Sequence, residues 1–270
     1  MRVFALLLGC AAGLAGLPAQ AQSSAATTQA TAPDVDPRAV DALRKMSTFL
    51  QTLQTFRLIS EASLDVITVQ DQKVQLDMVT TYQVKRPGMR IDWVSDQKNR
   101  QFYYDGSKFT LVAPTLGYYA TVDAPGTNRE FLDALYDKTG VELPLADLFR
   151  WADADHEDDI AKLTSAFSVG TATLEGVETD HWAYRTAEFD WELWIDQGDR
   201  PLPRKFVLID RTDPTLPAFI AHLTWQLNPN LDPAAFTMDV VLERVGRDGD
   251  LFARVLDGGQ SLGAALRRLR

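Results

Sequence analysis

Tyr82-Gln83-Val84-Lys85-Arg86-Pro87-Gly88-Met89-Arg90-Ile91-Asp92-Trp93, followed ten residues on by Tyr103-Tyr104-Asp105-Gly106-Ser107-Lys108, is the stretch whose reading decides the fold. One apolar alternation ends at Val84, a second begins with Met89, Ile91 and Trp93, and the Asp105-Gly106 pair turns the chain into a third. Proline fixes φ and withdraws an N–H, so Arg86-Pro87 belongs at a strand end or a sheet edge. Asp-Gly supplies the positive-φ pair that a two-residue hairpin prefers. The segment reads as meandering antiparallel sheet.

Outward from this stretch the period stays near two. Upstream, Phe56, Leu58, Ala62, Leu64 and Val66 predict one long strand, and Val74, Leu76, Met78, Tyr82 and Val84 another, with a turn near residues 70–72. Downstream, shorter strands are predicted at 89–95, 100–104, 108–113 and 117–122. Further strands follow from Phe167, with a hairpin corner at Glu175-Gly176, and the last is expected at 236–241, about eleven in all. Before the sheet, Asp36 caps and Pro37 opens a helix that places Val40, Leu43, Met46, Phe49, Leu50 and Leu53 on one face. That apolar stripe needs a sheet to cover. Between the two runs of strands, Thr127 with Glu130 forms a capping box for a helix over 127–138. Two more helices are expected at 145–151 and 156–163. No period of 20 to 50 residues recurs, which excludes propellers and solenoids.

The ends carry different information. Arg2, the apolar stretch 3–17 and Ala19-Gln20-Ala21 read as a signal peptide over 1–21. The rival reading makes Leu7-Leu8-Gly9-Cys10 a lipid-attachment box, but too few residues precede Cys10. Cys10 is the only cysteine, so cleavage after Ala21 leaves no thiol, excluding disulfides, zinc fingers and cysteine nucleophiles. Residues 22–35, rich in Ser, Ala, Thr and Gln, read as a disordered leader. The chain has 270 residues and a net charge of −10, one unit more negative without Arg2, which opposes nucleic acid and anionic membranes as partners. With 46% hydrophobic residues it can bury a large core. After the leader no apolar run reaches membrane-spanning length. The expected place is the periplasm of a Gram-negative bacterium.

The Lys-Arg-Pro, Trp93 and Asp105-Gly106-Ser107-Lys108 sequence resembles that of the LolA/LolB/RseB-like superfamily of periplasmic lipoprotein carriers and sensors. Gly176-Val177, Asp180-His181, Phe189-Asp190-Trp191, Trp194-Ile195, Gly198 and Pro201-Leu202-Pro203-Arg204-Lys205, with Leu143-Pro144-Leu145-Ala146-Asp147-Leu148, look like the motifs of an uncharacterised group of predicted periplasmic proteins beside that superfamily. The likeness implies a mainly β, α+β fold: an incompletely closed antiparallel β-barrel covered by helices, over residues 36–241. Residues 242–270 depart from the pattern and form an extension, ending in a basic amphipathic segment with Leu262, Leu266 and Leu269 on one side. The resemblance also implies that Arg86, matching the arginine of the carriers' Arg-Pro pair, helps hold helices over the cavity. The alternative is a surface arginine that ends a strand.

Catalytic motifs are missing: no Gly-x-Ser-x-Gly elbow, His-Glu-x-x-His, phosphate loop or dinucleotide fingerprint occurs. Asp153, Asp155, Glu157, Asp158 and Asp159 around His156 lack the order of a calcium loop and read as a solvated helix start. His222 stands alone. Asp180-His181 suggests an oriented base, weighed against a structural histidine within a strand. No cofactor or metal is expected. For ligand contact the candidates are Arg86, Trp93, Tyr104, Tyr118, Trp182, Trp191, Trp194 and Trp225, with ordinary core as the alternative. Trp191 and Trp194, three apart, point to opposite faces of one regular strand.

These readings favour a non-catalytic periplasmic protein that binds a lipid, a lipoprotein acyl chain or another apolar ligand. A sensor or interaction protein of the RseB-like kind, with a protein partner, is the second reading. A hydrolase using Asp180 and His181 is the third.

Overall fold

The computed structural model describes residues 34–96, 98–124, 126, 145, 160–238 and 243–244. The expected helices at 127–138 and 145–151, most of that at 156–163, His156 with its acidic neighbours, the signal peptide and nearly all of the C-terminal extension lie outside these residues.

Thirteen strands form one sheet: β1 Asp34–Val35, β2 Thr55–Ile67, β3 Lys73–Lys85, β4 Gly88–Ser95, β5 Asn99–Tyr104, β6 Lys108–Ala113, β7 Tyr118–Asp123, β8 Ser165–Leu174, β9 Val177–Arg185, β10 Phe189–Asp196, β11 Pro203–Asp210, β12 Ala218–Leu227 and β13 Glu243–Arg244. Eleven are long, and β1 and β13 are two-residue strips at the sheet's edges. The order β1-β8-β9-β10-β11-β12-β2-β3-β4-β5-β6-β7-β13 does not close on itself. Two meanders, β2 to β7 and β8 to β12, are joined by the antiparallel β12–β2 pairing, which runs from Phe219↔Leu64 to Leu227↔Phe56. β1 and β13 add in parallel. The architecture is the incompletely closed antiparallel barrel with a helical cover that the sequence led us to expect.

Two local readings need correction. Asp34 and Val35, assigned to the leader, pair with Ser165 and Ala166, because the chain must run beside β8 to deliver the helix that follows. The strand expected from Phe236 does not start there: Pro233–Phe236 is a 3₁₀ turn whose N-terminal N–H of Ala234 is capped by the Asp232 carboxylate. Proline after a capping aspartate favours that helical turn over a strand. Phe236 is buried against Gly88, where an added Cβ would lie 3.0 Å from its ring.

The single described α-helix, α1 Pro37–Thr52, follows its sequence signals. Asp36 accepts from the Arg38 N–H, Pro37 opens the first turn, and Ala39, Val40, Leu43, Met46 and Leu50 are buried. These side chains share one cluster with Leu58, Tyr82, Ile91, Phe102, Leu111, Leu193 and Ala221, so the helix lies on the inner face of the sheet. Its N-terminus is tied to one half of the sheet: the Asp36 N–H donates to the Ala166 carbonyl, and the buried Tyr184 hydroxyl donates to the Ala39 carbonyl at 2.9 Å. Sixteen residues at 1.5 Å span about 24 Å, too short to cover thirteen strands at about 4.8 Å apiece. Leu145, Leu163 and Ile160 from the segment between β7 and β8 also join the cluster.

Hairpin chemistry is partly as read. Glu175 and Gly176 both take positive φ between Leu174 and Val177, as a two-residue loop of two left-handed residues requires. At Asp105-Gly106, however, only Gly106 is left-handed, with φ +96°. The loop residues are Gly106 and Ser107, and Asp105 sits before them as an acceptor: its Oδ1 takes the N–H groups of Ser107 and Lys108 and the Ser107 hydroxyl, each at 2.8 Å. An Asx side chain that mimics a turn carbonyl explains why aspartate stands there.

Candidate functional site

Strand pleating sorts the candidate residues onto two faces. On β4, Met89, Ile91 and Trp93 point inward; on β5, Arg100, Phe102 and Tyr104; on β9, Trp182 and Tyr184; on β10, Phe189, Trp191, Leu193 and Ile195; and on β12, Phe219, Ala221, Leu223 and Trp225. Five candidates thus share the inner face. Tyr104 is 1% exposed, and its hydroxyl donates to the Gly126 carbonyl at 2.7 Å. Trp191 stacks on Tyr184 with centroids 5.3 Å apart. Trp225 tilts against Phe56 and donates from Nε1 to the Pro203 carbonyl at 2.8 Å. Trp93 and Trp182 are half-buried and pack on the same cluster. Burial against aromatic and aliphatic neighbours pushes the Tyr82 and Tyr184 hydroxyls far above the usual tyrosine range, so both stay neutral. Tyr118 pairs through its backbone with Ala113 and Glu243, and its side chain lies outside the described residues.

Trp194 does not belong with these five. Three positions from Trp191, it lies on the outer face, where His181 stacks on it at 3.8 Å and the Lys205 ammonium sits 4.6 Å above its ring. Cross-strand register explains the sandwich, since Trp194 faces His181 on one side and Lys205 on the other. His181 Nε2 contacts Glu192 Oε2 at 2.6 Å, whereas Asp180 accepts from Gln197 Nε2 at 2.7 Å. Successive residues of one strand point to opposite faces. Asp180 and His181 therefore form no dyad, and the hydrolase reading loses its geometry. His222 neighbours Lys205 and Glu61 on the same outer face.

Arg86 lies at the link between β3 and β4, with a cis Arg86–Pro87 peptide. Its Nε donates to the Leu53 carbonyl at 2.9 Å and its backbone N–H to the Gln54 carbonyl at 3.0 Å. Leu53 is the C-cap of α1, a helix with no basic residue in its own last turn. The described contact is thus to the covering helix α1. A guanidinium at a helix C-terminus meets both the orphan carbonyl and the negative end of the macrodipole.

Sequence reasoning missed a row of polar side chains on the inner face. Ser60, Thr80, Trp93 and Arg100 are successive cross-strand partners on β2, β3, β4 and β5. Ser60 is 1%, Thr80 2% and Arg100 4% exposed, and the Trp93 Nε1 is buried without any hydrogen-bond acceptor. Burial lowers the pKa of Arg100. Its Nη1 donates to the Asn99 carbonyl at 2.8 Å. The available signal was the interruption of apolar alternation at Ser60, between Leu58 and Ala62, and at Thr80, between Met78 and Tyr82.

A family model described as "Predicted periplasmic protein (DUF2092)" matches residues 39–240. No curated protein matches the chain in sequence. Among solved structures, it is similar to an uncharacterised conserved protein from Thermus thermophilus (11% identity, 77% of this chain, 98% of that one, TM-score 0.43). It is also similar to LprF from Mycobacterium bovis (11% identity, 75% and 99%, TM-score 0.40) and to a LolA superfamily protein from Nitrosomonas europaea (8% identity, 74% and 97%, TM-score 0.34).

Proposed function

The chain belongs to the DUF2092 family of predicted periplasmic proteins, and from that premise we propose that it binds an acyl chain or similar apolar ligand on the inner face of its open sheet. One observation carries this reading. The apolar cluster that draws residues from β2 to β6 and from β8 to β12 is covered in part by α1, a separate element joined at its far end by the side chain of Arg86. Apolar surface of that extent, rich in aromatic rings, stabilises a buried chain by about 0.8 kcal/mol per CH₂. A helix tied by the Tyr184 hydroxyl at its start and by the Arg86 guanidinium at its end is the element that moves when such a ligand enters. The binding role needs no reacting group, and Arg86, Trp93, Tyr104, Trp182, Trp191 and Trp225 act as packing and anchoring residues.

Native mass spectrometry of the protein purified from periplasm, followed by lipid extraction, tests the proposal. Repeated recovery without an acyl ligand, together with no binding of a fluorescent fatty acid, would sink it.

A protein partner is the second reading, favoured by the edge at β8. β1 covers only Ser165 and Ala166, so residues 167–174 have no strand neighbour on that side among the described residues, and Phe167 and Val169 are half exposed there. An extended peptide adds to such an edge through main-chain hydrogen bonds. Periplasmic cross-linking that captures one stable protein at β8 without co-purifying lipid would favour it.

A further inference from the structure

Polar atoms carried by the aromatic residues of the inner face are paired within the protein, with one exception. The Trp225 Nε1 donates to the Pro203 carbonyl, the Tyr104 hydroxyl to the Gly126 carbonyl and the Tyr184 hydroxyl to the Ala39 carbonyl. The Trp93 Nε1 is buried and has no acceptor, alone among the buried side-chain nitrogens and oxygens of the described residues. Burial strips an N–H of its water, and without an acceptor nothing replaces that bond. The two cross-strand neighbours do not serve it. Thr80 on β3 leaves it unpaired, and Arg100 on β5 offers donors only and is already engaged, with its Nη1 on the Asn99 carbonyl. Phenylalanine at position 93 would keep an aromatic ring on the core and bury no donor. Packing therefore does not account for the indole N–H.

Its place on the sheet says what chemistry is wanted. Toward Arg86 the next cross-strand row is Tyr82, Ile91 and Phe102, and the row after that is Val84, Met89 and Tyr104, all buried. Successive rows lie roughly 7 Å apart. An alkyl chain laid over these rows meets Trp93 at its end. The matching acceptor is a neutral oxygen, because one N–H makes one hydrogen bond, whereas a buried carboxylate or phosphate needs several donors or an uncommitted cation. A carbonyl at the head of an acyl chain meets both demands.

We propose that the Trp93 Nε1 is the hydrogen-bond donor to the acyl carbonyl of an ester or amide whose chain runs from Trp93 over the two buried rows toward Arg86. This rests on the apolar-ligand reading and deepens it, because Trp93 selects the functional group that is recognised and fixes where along the sheet the chain begins. An ether with the same chain takes the same apolar rows without the carbonyl that Nε1 is placed to meet.

The test sets an ester, monolauroylglycerol, and an amide, lauroylethanolamine, against dodecylglycerol, the ether that matches the ester but lacks its carbonyl, and against laurate, which carries a charge. Each is titrated calorimetrically, below its micelle concentration, into the full chain. The ester and the amide are expected to bind about tenfold more tightly than the ether, and laurate no more tightly than the ester. In a nitrogen–proton correlation spectrum, the Trp93 indole cross-peak, assigned by its loss in Trp93→Phe, is expected to move downfield with the ester and not with the ether. In Trp93→Phe the ratio of ester to ether affinity is expected to fall to about one. If that variant does not fold, the ratio and the downfield shift of one indole cross-peak in the unaltered protein decide. Equal affinity for ester and ether in the unaltered protein, or a loss shared equally by both in Trp93→Phe, would make Trp93 a packing residue and overturn the carbonyl site while leaving the apolar site standing. Tighter binding of laurate than of the ester would assign the N–H to a charged head and overturn the neutral group. No binding of any of the four chains would instead defeat the apolar-ligand reading itself, and this proposal with it.

Discussion

Replacing Arg86 by leucine should loosen the C-terminal end of α1 without unfolding the protein. The variant loses the 2.9 Å bond from Nε to the Leu53 carbonyl and the positive charge at a helix end that has no basic residue of its own. A hydrogen bond from a charged group contributes about 1.5–3 kcal/mol, and a cation at a helix C-terminus about 0.3–1 kcal/mol. Arg86 is largely exposed, so solvent screening brings the sum down to about 1–1.5 kcal/mol. The backbone bond from the residue 86 N–H to the Gln54 carbonyl survives the substitution and keeps the β3–β4 link in place. At ~2–4 °C per kcal/mol for a chain of this size, the melting temperature should fall by about 3 °C. Hydrogen exchange should quicken at the amides of Phe49 to Leu53 while those of Val40 and Leu43, held by Tyr184 and by burial, stay protected. Arg86→Lys should recover the charge–dipole part only, because an ammonium lacks the fixed fork of the guanidinium. Acyl-chain association and release should both accelerate in Arg86→Leu if α1 must move for the ligand to pass. An unchanged melt with unchanged exchange in the last turn of α1 would refute the reasoning and leave Arg86 as a surface residue that ends a strand.

Leu43→Ala, at a fully buried position where α1 meets the sheet, should cost about 2–5 kcal/mol by urea denaturation. Gly106→Ala should cost about 2 kcal/mol, read as a lower urea midpoint, because residue 106 holds φ at +96° and its new Cβ would lie 2.8 Å from Pro87 Cγ. Asp105 answers to pH: partial burial raises its pKa, but the hydrogen bonds from Lys108 and Ser107 outweigh this and hold the carboxyl below its ordinary value. Its contribution is therefore complete above the unfolded pKa of about 3.9 and is lost as pH falls through the lower folded value. Asp105→Asn should make the acid limb of a stability–pH curve shallower, and an identical limb in both proteins would contradict that role.

What the sequence determined by itself is local. Period-two alternation placed the long strands, Asp36-Pro37 started α1 where it starts, Arg86-Pro87 marked a strand end, and Glu175-Gly176 turned a hairpin, because each depends on φ, ψ and hydrogen bonds within a few residues. Asp105 was assigned the wrong part in its own turn, since both a left-handed residue and an Asx acceptor suit aspartate and only the formed hairpin selects one. The partner of Arg86 is thirty-three residues away, at the end of α1, and no spacing in the chain announces it. Trp191 and Trp194 were separable by pleating alone, yet the stacking of His181 and Lys205 on Trp194 needed three strands in register. The polar row is the clearest case. Ser60 and Thr80 were visible only as gaps in two apolar patterns, and Arg100 as the start of another strand. Register between strands is set by side-chain packing summed over long loops and many distant contacts, so only the assembled sheet could put those gaps, an indole N–H and a guanidinium into one line.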